Sequence, residues 1–346
     1  MIREVEFRYI IVRGGADFGQ LYALPDSAPT IRMTASGEIK TSLSGEFWEP
    51  ADIDWLSDEI RPEIRINGVW SPLGVFLPTT VSRTRENGVT TVRVEAYDRA
   101  WRIKNNMPDD TKYISSGESY LGQITNLLND CGVRLISATT KDANLPTERS
   151  WPLGTSYLTI INELLQAINY NPLWFNSSGL AVLEPAEEVD VGNIAHEMDS
   201  SNIKSLLLPS ITTEADIFNT PNRIICTCST PDRSVLTARA TNTNPDSPLS
   251  TVRRGRVIAK LVKVKDIFDS ASLQAYANKL LRETMYTGET YTVETALFPG
   301  WGVYDAVHLR YGEVNSLCRE TAWSMTLQVG GTMKHTLEKV VNNVIG

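Results

Sequence analysis

The chain has 346 residues, 42% of them hydrophobic and 21% charged, a balance that suits a folded protein and excludes wholesale disorder. A formal net charge of −8 excludes a general electrostatic attraction for nucleic acid. No apolar run approaches the roughly 18 residues that a membrane span needs, and Met1–Glu6 lacks a signal-peptide pattern, so the chain is expected to fold in a cytoplasm.

At this length two or three domains are expected. Residues 1–112 read as β-structure. Val5, Phe7, Tyr9 and Ile11 alternate with Glu4, Glu6, Arg8 and Ile10 as in a half-buried strand. Gly14-Gly15 reads as a hairpin turn, because no helix follows to present amides to a phosphate. Asn67-Gly68 and Asn87-Gly88, each between apolar runs, predict two-residue hairpins. Regular short strands with turn signals suggest a barrel or sandwich.

Residues 113–190 change character. Ser119–Cys131 predicts a helix with Leu121, Ile124, Leu127 and Leu128 on one face and Gly132 at its end. Val133–Ser137 predicts a strand. Thr155 or Ser156 caps a second helix carrying Leu158, Ile161, Leu164, Leu165 and Ile168, and Asn171-Pro172 is expected to stop it. Leu173–Phe175 and Leu180–Leu183 then form a hairpin about Asn176–Gly179. The result is a small α/β unit.

Residues 191–346 return to β-structure after an acidic connector, Glu184–Asp199. Strands are predicted at Asn222–Ser229, Val235–Ala240, Arg256–Val264, Tyr291–Leu297 and Trp323–Val329. One helix, capped by Asp269 or Ser270 and followed by Gly288, buries Leu273, Tyr276, Ala277, Leu280 and Leu281. The basic cluster Arg253-Arg254-Gly255-Arg256, continued by Lys260, Lys263 and Lys265, reads as an exposed strand face, with a phosphate-contacting patch as the alternative.

Chemistry-bearing patterns are weak. Cys226 and Cys228 point the same way on a strand without nearby Cys or His partners, which fits buried thiols better than a zinc site. Asp17-Phe18-Gly19 matches a kinase magnesium motif without the loops that motif requires. The histidines, His196, His308 and His335, accompany no nucleophile elbow, and Asp109-Asp110 and Glu187-Glu188 lie in predicted loops, unsuited to opposed glycosidase carboxylates. No catalytic, cofactor-binding or metal residue is assigned, no cofactor is expected, and the chain is expected not to be an enzyme. The tryptophans Trp48, Trp55, Trp70, Trp101, Trp151, Trp174, Trp301 and Trp323 fit core or interface packing, with a sugar platform as the alternative.

Four stretches carry a family resemblance: Trp151–Val182, Ala96-Tyr97-Asp98, Asp216–Asn222 and Trp323–Met333. In order and spacing they resemble the tail hub proteins of tailed bacteriophages, the ring at the distal end of the tail tube. The resemblance implies an α+β, mostly β fold, in which two tail-tube-type antiparallel β-barrel domains flank a small α/β domain. It implies a structural virion protein at the tail tip or baseplate, made in the host bacterial cytoplasm. Three copies would present six barrels to a six-fold tube, with DNA as cargo in the channel. The implied partners are further copies in a homotrimer, the tail tube or distal tail protein ring, the tape measure protein and a central spike or fibre. Because the chain ends soon after the second β region, at Val341–Gly346, a separate protein is expected to plug the tip. Two alternatives stand beside this reading: a distal tail protein, and a carbohydrate-binding receptor protein.

Overall fold

A computed structural model describes residues 3–134, 136–138, 142–202, 204–215, 218–230, 233–264, 267, 269–285 and 289–340. The chain is mostly β and divides into two compact units. Unit 1 comprises Met1–Glu188, Thr295–Tyr304 and Ala322–Lys334; unit 2 comprises Val189–Glu294, Asp305–Thr321 and His335–Gly346.

Unit 1 begins with four hairpins: β1 (Val5–Arg13) with β2 (Ala16–Ala23), β3 (Thr30–Thr34) with β4 (Thr41–Trp48), β5 (Glu59–Ile66) with β6 (Val69–Pro72), and β7 (Phe76–Glu86) with β8 (Val89–Asp98). Asn67 and Asn87 have φ of 49° and 51°, each followed by a glycine of positive φ. Both turns therefore take the left-handed geometry that matches strand twist, as Asn-Gly predicts. Across the hairpins, β1 pairs with β2, β2 with β4, β4 with β8, β8 with β7, β7 with β5 and β5 with β1, all antiparallel. The pairing thus returns to its starting strand.

Alternate residues of this ring face a common core that holds Tyr9, Leu21, Phe47, Ile64, Phe76 and Val94. Segment 322–326 pairs antiparallel with β3, and Trp323 and Met325 join the same core. Sequence order alone places that segment among the last strands, far from the residues it packs against.

The remainder of unit 1 has its own core. It contains α1 (Ala100–Lys104), β9 (Lys112–Ile114), α2 (Tyr120–Asp130), β10 (Ile136–Ala138), β11 (Arg149–Trp151), α3 (Tyr157–Ala167), β12 (Trp174–Phe175) and β13 (Ala181–Leu183). Ser119 Oγ accepts from the Gly122 amide at 2.8 Å, and Ser156 Oγ accepts from the Thr159 amide at 3.2 Å, so both serines cap as predicted. Ile124, Leu127 and Leu128 of α2 pack with Leu158, Ile161, Leu164 and Leu165 of α3. The stop of α3 differs from expectation: it comes before Asn171-Pro172, where Asn169 takes φ 61° and Tyr170 N returns to Leu165 O at 2.9 Å.

Unit 2 holds β14 (His196–Asp199), β15 (Leu207–Glu214), β16 (Arg223–Thr230), β17 (Arg233–Thr241), α4 (Thr251–Arg254), β18 (Ala259–Val264) and α5 (Ser270–Met285). After them come β19 (Thr290–Ala296), β20 (Ala306–Tyr311), β21 (Val314–Thr326) and β22 (Thr332–Lys339), parts of which fall within unit 1. The central strand β16 pairs antiparallel with β17 and parallel with β18. Leu273, Ala277 and Leu281 of α5 cover one face of this sheet, over Ile224, Cys226, Cys228, Ala238 and Ala240. Strand β14 lies inside the predicted acidic connector and pairs parallel with β20. The predicted Gly288 stop, Lys265 and the pair Asp216-Ile217 lie outside the described residues.

The basic cluster does not run on as a strand face. Ser250 Oγ caps Arg253 N at 3.1 Å, and Gly255 at φ 62° closes a single helical turn, α4, before β18 begins.

Candidate interaction surfaces

The face of the ring turned away from its core is a ladder of charges. Register places Glu6 opposite Arg65, Arg8 opposite Glu63 and Ile10 opposite Arg61. Arg8 and Arg61 both bind the buried Glu63, at 2.5 and 2.7 Å; Arg61 also reaches Asp17 at 2.9 Å, and Arg65 reaches Glu6 at 3.1 Å. Arg8 lies 4.3 Å over the Trp70 ring. Asp17 of the kinase-like triplet is therefore one rung of this ladder, its carboxyl held below the usual range by the Arg61 hydrogen bond. Farther along the ring, Tyr22 faces Trp48 across β2 and β4, both exposed.

Arg99, just after β8, ties the hairpin β12–β13 to the ring. Its guanidinium donates to both oxygens of Glu59, at 3.0 and 2.6 Å, and to Gly179 O at 3.0 Å. Gly179 has φ 75°, and a Cβ there would meet Val75 at 2.7 Å, so the tip of the hairpin needs glycine for close approach. The fully buried Asp98 accepts from Thr41 N, Thr41 Oγ1 and Ala100 N. Burial pushes its pKa up despite these donors.

Beside Asp98, a cleft bounded by Trp174, Trp301 and Trp323 has a volume of about 20 Å³, enough for a water molecule and too small for a sugar ring. Most of the tryptophans pack within the protein. Trp151 and Trp323 are buried, Trp101 stacks on Tyr97 at 5.4 Å, and Trp55 and Trp174 donate to Glu49 and Glu184. Of the eight, Trp48 alone is exposed.

In unit 2, His335 Nδ1 lies 2.9 Å from Glu320 Oε2, with both side chains fully buried. Burial drives Glu320 well above the usual carboxylate range and His335 down to about 3. Both are therefore held neutral, the carboxyl donating and the imidazole accepting. This acid–base pair reaches no solvent, so no substrate can approach it in this conformation. His196 Nε2 contacts Asp305 at 2.8 Å and His308 Nε2 contacts Asn315 at 2.7 Å. All four cysteines are free and buried. Burial raises Cys131 to about 11 and Cys318 to about 12, far from the thiolate range needed for reactivity. Among the described residues, no group of three metal-ligating side chains gathers. No helix among them is long and apolar enough to cross a membrane.

The sheet β17–β16–β18 leaves its second face open. Register sets Arg223, Ile225 and Thr227 beside Ala259, Leu261 and Lys263 on one side and Thr241, Arg239 and Thr237 on the other. All point away from α5, because the alternate residues pack beneath it. Leu261 and Val235 are 58% and 60% exposed. Among the described residues, no carboxylate pairs with Arg223, Arg239 or Lys263. Lys260 and Lys263 are both exposed but, three residues apart on β18, point to opposite faces, so they do not form the single basic strand face expected, and Arg254 turns inward and donates to Thr220 O at 2.7 Å.

No family model and no curated protein matches this sequence. Solved structures do match. A tail protein from Neisseria meningitidis superposes with a TM-score of 0.70 at 13% identity, covering 98% of this chain and 97% of that one. A 43 kDa tail protein of prophage MuSo2 from Shewanella oneidensis gives 0.68 at 9% identity, covering 96% and 98%. An Escherichia coli component of the type VI secretion system, described as structurally similar to bacteriophage T4 tail proteins, gives 0.53 at 8% identity over 98% of this chain and 77% of its own. The chain shares the fold of these phage tail proteins.

Proposed function

We propose that this protein is a structural hub ring at the distal end of a phage-type tail. Three copies close the tube, leave a channel for DNA, and join it to a spike or fibre protein. The observation that carries this reading is the fold shared with phage tail proteins over nearly the whole chain. Such breadth involves both units rather than one widespread module. The closed strand circuit of unit 1 supports the assignment of a tube-type barrel there, and the reading gives unit 2 the second tube-type position. The tape measure protein and the distal tail ring or tube are the expected neighbours, and the tail tip is the expected location.

The proposed work is mechanical rather than catalytic. The acid–base pair and the thiols are sealed from solvent, while the surface offers paired charges, an aromatic pair and an open sheet face, features suited to protein contacts. An acidic chain around a channel also lets DNA pass without gripping it.

Counting copies in purified tails tests the proposal. Quantitative mass spectrometry against the tube protein should give three copies per tail. Six copies would move the protein to a distal tail ring. Absence from tails, with glycan binding by the free protein, would replace the hub by a receptor-binding role.

A further inference from the structure

We infer that the open face of the unit 2 sheet docks onto the acidic α/β part of unit 1 in a second copy of this chain, head to tail. This rests on the ring reading above and names the contact that would build the ring. Charge along the chain is segregated. Phe218–Lys265 holds nine Lys and Arg against two Asp and Glu, whereas Asn105–Glu188 holds ten Asp and Glu against four Lys and Arg. On the open face, Arg223, Arg239 and Lys263 are interleaved with Ile225, Val235 and Leu261. Exposed apolar side chains between cations suit a protein partner better than a phosphate backbone, which offers no apolar surface to cover.

The complementary patch lies on segments that touch one another. Tyr157 N donates to Asn106 O at 3.0 Å, and Ser150 faces Tyr113 across β9 and β11. Around them Met107, Tyr113 and Leu153 are 47%, 71% and 64% exposed. Asp109, Asp110 and Asp130 are exposed alongside, with no cation paired to any of the three among the described residues. Burial first, and then the charges of Asp130 and Asp109, push the Tyr157 hydroxyl pKa up, in keeping with carboxylates near this patch. Each copy therefore carries one basic apolar face and one acidic apolar face. Two different faces meeting form a heterologous contact, which closes into a ring when the rotation between copies allows.

Sedimentation of the full chain tests the contact. Wild type is expected to be a trimer at low ionic strength and to dissociate as salt rises. Leu261→Asp with Lys263→Glu should give a folded monomer with an unchanged circular dichroism spectrum, and so should Asp109→Lys with Asp110→Lys. Mixed in equal amounts, the two variants retain one intact pair of faces, so a one-to-one dimer and nothing larger should form. Arg239→Glu provides an independent basic-face variant with the same expectation. A wild-type trimer that these variants leave intact overturns the contact alone. A wild-type chain that stays monomeric overturns the ring reading and the contact with it. Variants that assemble normally but lose retention of duplex DNA would make the face a phosphate site and overturn the proposal.

Discussion

In unit 1 the strands return on themselves, and the face turned from the core pairs its charges, Arg8 with Glu63, Arg61 with Asp17 and Arg65 with Glu6. In unit 2 the sheet β17–β16–β18 buries one face under α5, while Leu261, Val235, Arg239 and Lys263 remain open on the other. Strands that pair back to their starting strand leave few open edges, and charges paired along their surface need no outside partner. A sheet covered on one side only, with cations that pair with no carboxylate among the described residues and lie among exposed apolar side chains, is a surface suited to being covered. The difference separates a surface whose charges pair within the chain from one that the proposed assembly would cover.

The comparison breaks first at the cores. Phe47→Ala empties a fully buried site in the ring and should cost about 3–5 kcal/mol, read by urea denaturation. Hydrogen exchange should show the loss of protection concentrated in β1–β8, with β16–β18 little affected. Uniform loss across both units would mean that they unfold as one.

The next effect is at the neutral pair of unit 2, where Glu320→Leu should cost roughly 1–3 kcal/mol by stranding a buried polar partner. The pH dependence sharpens the assignment. His335 stays neutral in the fold down to about 3 while an unfolded histidine takes its proton near 6.5, so its contribution is lost as pH falls between those values. Glu320 acts in the opposite sense. Its raised pKa means that the unfolded carboxylate ionises first, so stability falls as pH rises above 4.5. Melting temperature against pH should show both slopes in wild type, and Glu320→Gln should remove the second slope while keeping the first. A profile unchanged by that substitution would mean that Glu320 is ionised in the fold.

Smaller effects follow on the surfaces. Gly179→Ala forces a left-handed residue against Val75 and should cost about 1–3 kcal/mol, loosening the hairpin from Arg99. Arg65→Ala, which breaks an exposed pair of the ladder, should cost roughly 0–1 kcal/mol. Lys263→Ala on the open face should leave monomer stability within about 0.5 kcal/mol, since no carboxylate among the described residues pairs with it. A large loss there would show that the face is already covered within the chain.

Much of this architecture is legible in local chemistry. Asn-Gly marks two ring hairpins, and Ser119, Ser156 and the 3.6-residue apolar spacing mark α2 and α3, because turns and caps act over a few residues. What escapes the sequence is set by distant partners. Strand β14 looks like an acidic connector because its pairing partner is β20, more than a hundred residues later. Segment 322–326 reads as a late strand, yet joins the ring core through β3. The neutral Glu320–His335 pair depends on two strands meeting, with nothing in either local stretch to announce it. The turn at α4 was signalled by Ser250 and Gly255, a cap and a left-handed stop that the run of arginines obscures. The open face is half legible: its alternation can be read from residues 235–241, but the identity of the covered side depends on α5.

The most direct test of the contrast between the units is hydrogen exchange on assembled ring and dissociated monomer, compared peptide by peptide. New protection on assembly should concentrate in β16–β18 and in residues 107–113 and 150–157, with the ring strands β1, β5 and β8 unchanged. Protection gained across the charge ladder of unit 1, with β16–β18 exchanging as freely in the assembly as in the monomer, would contradict the account.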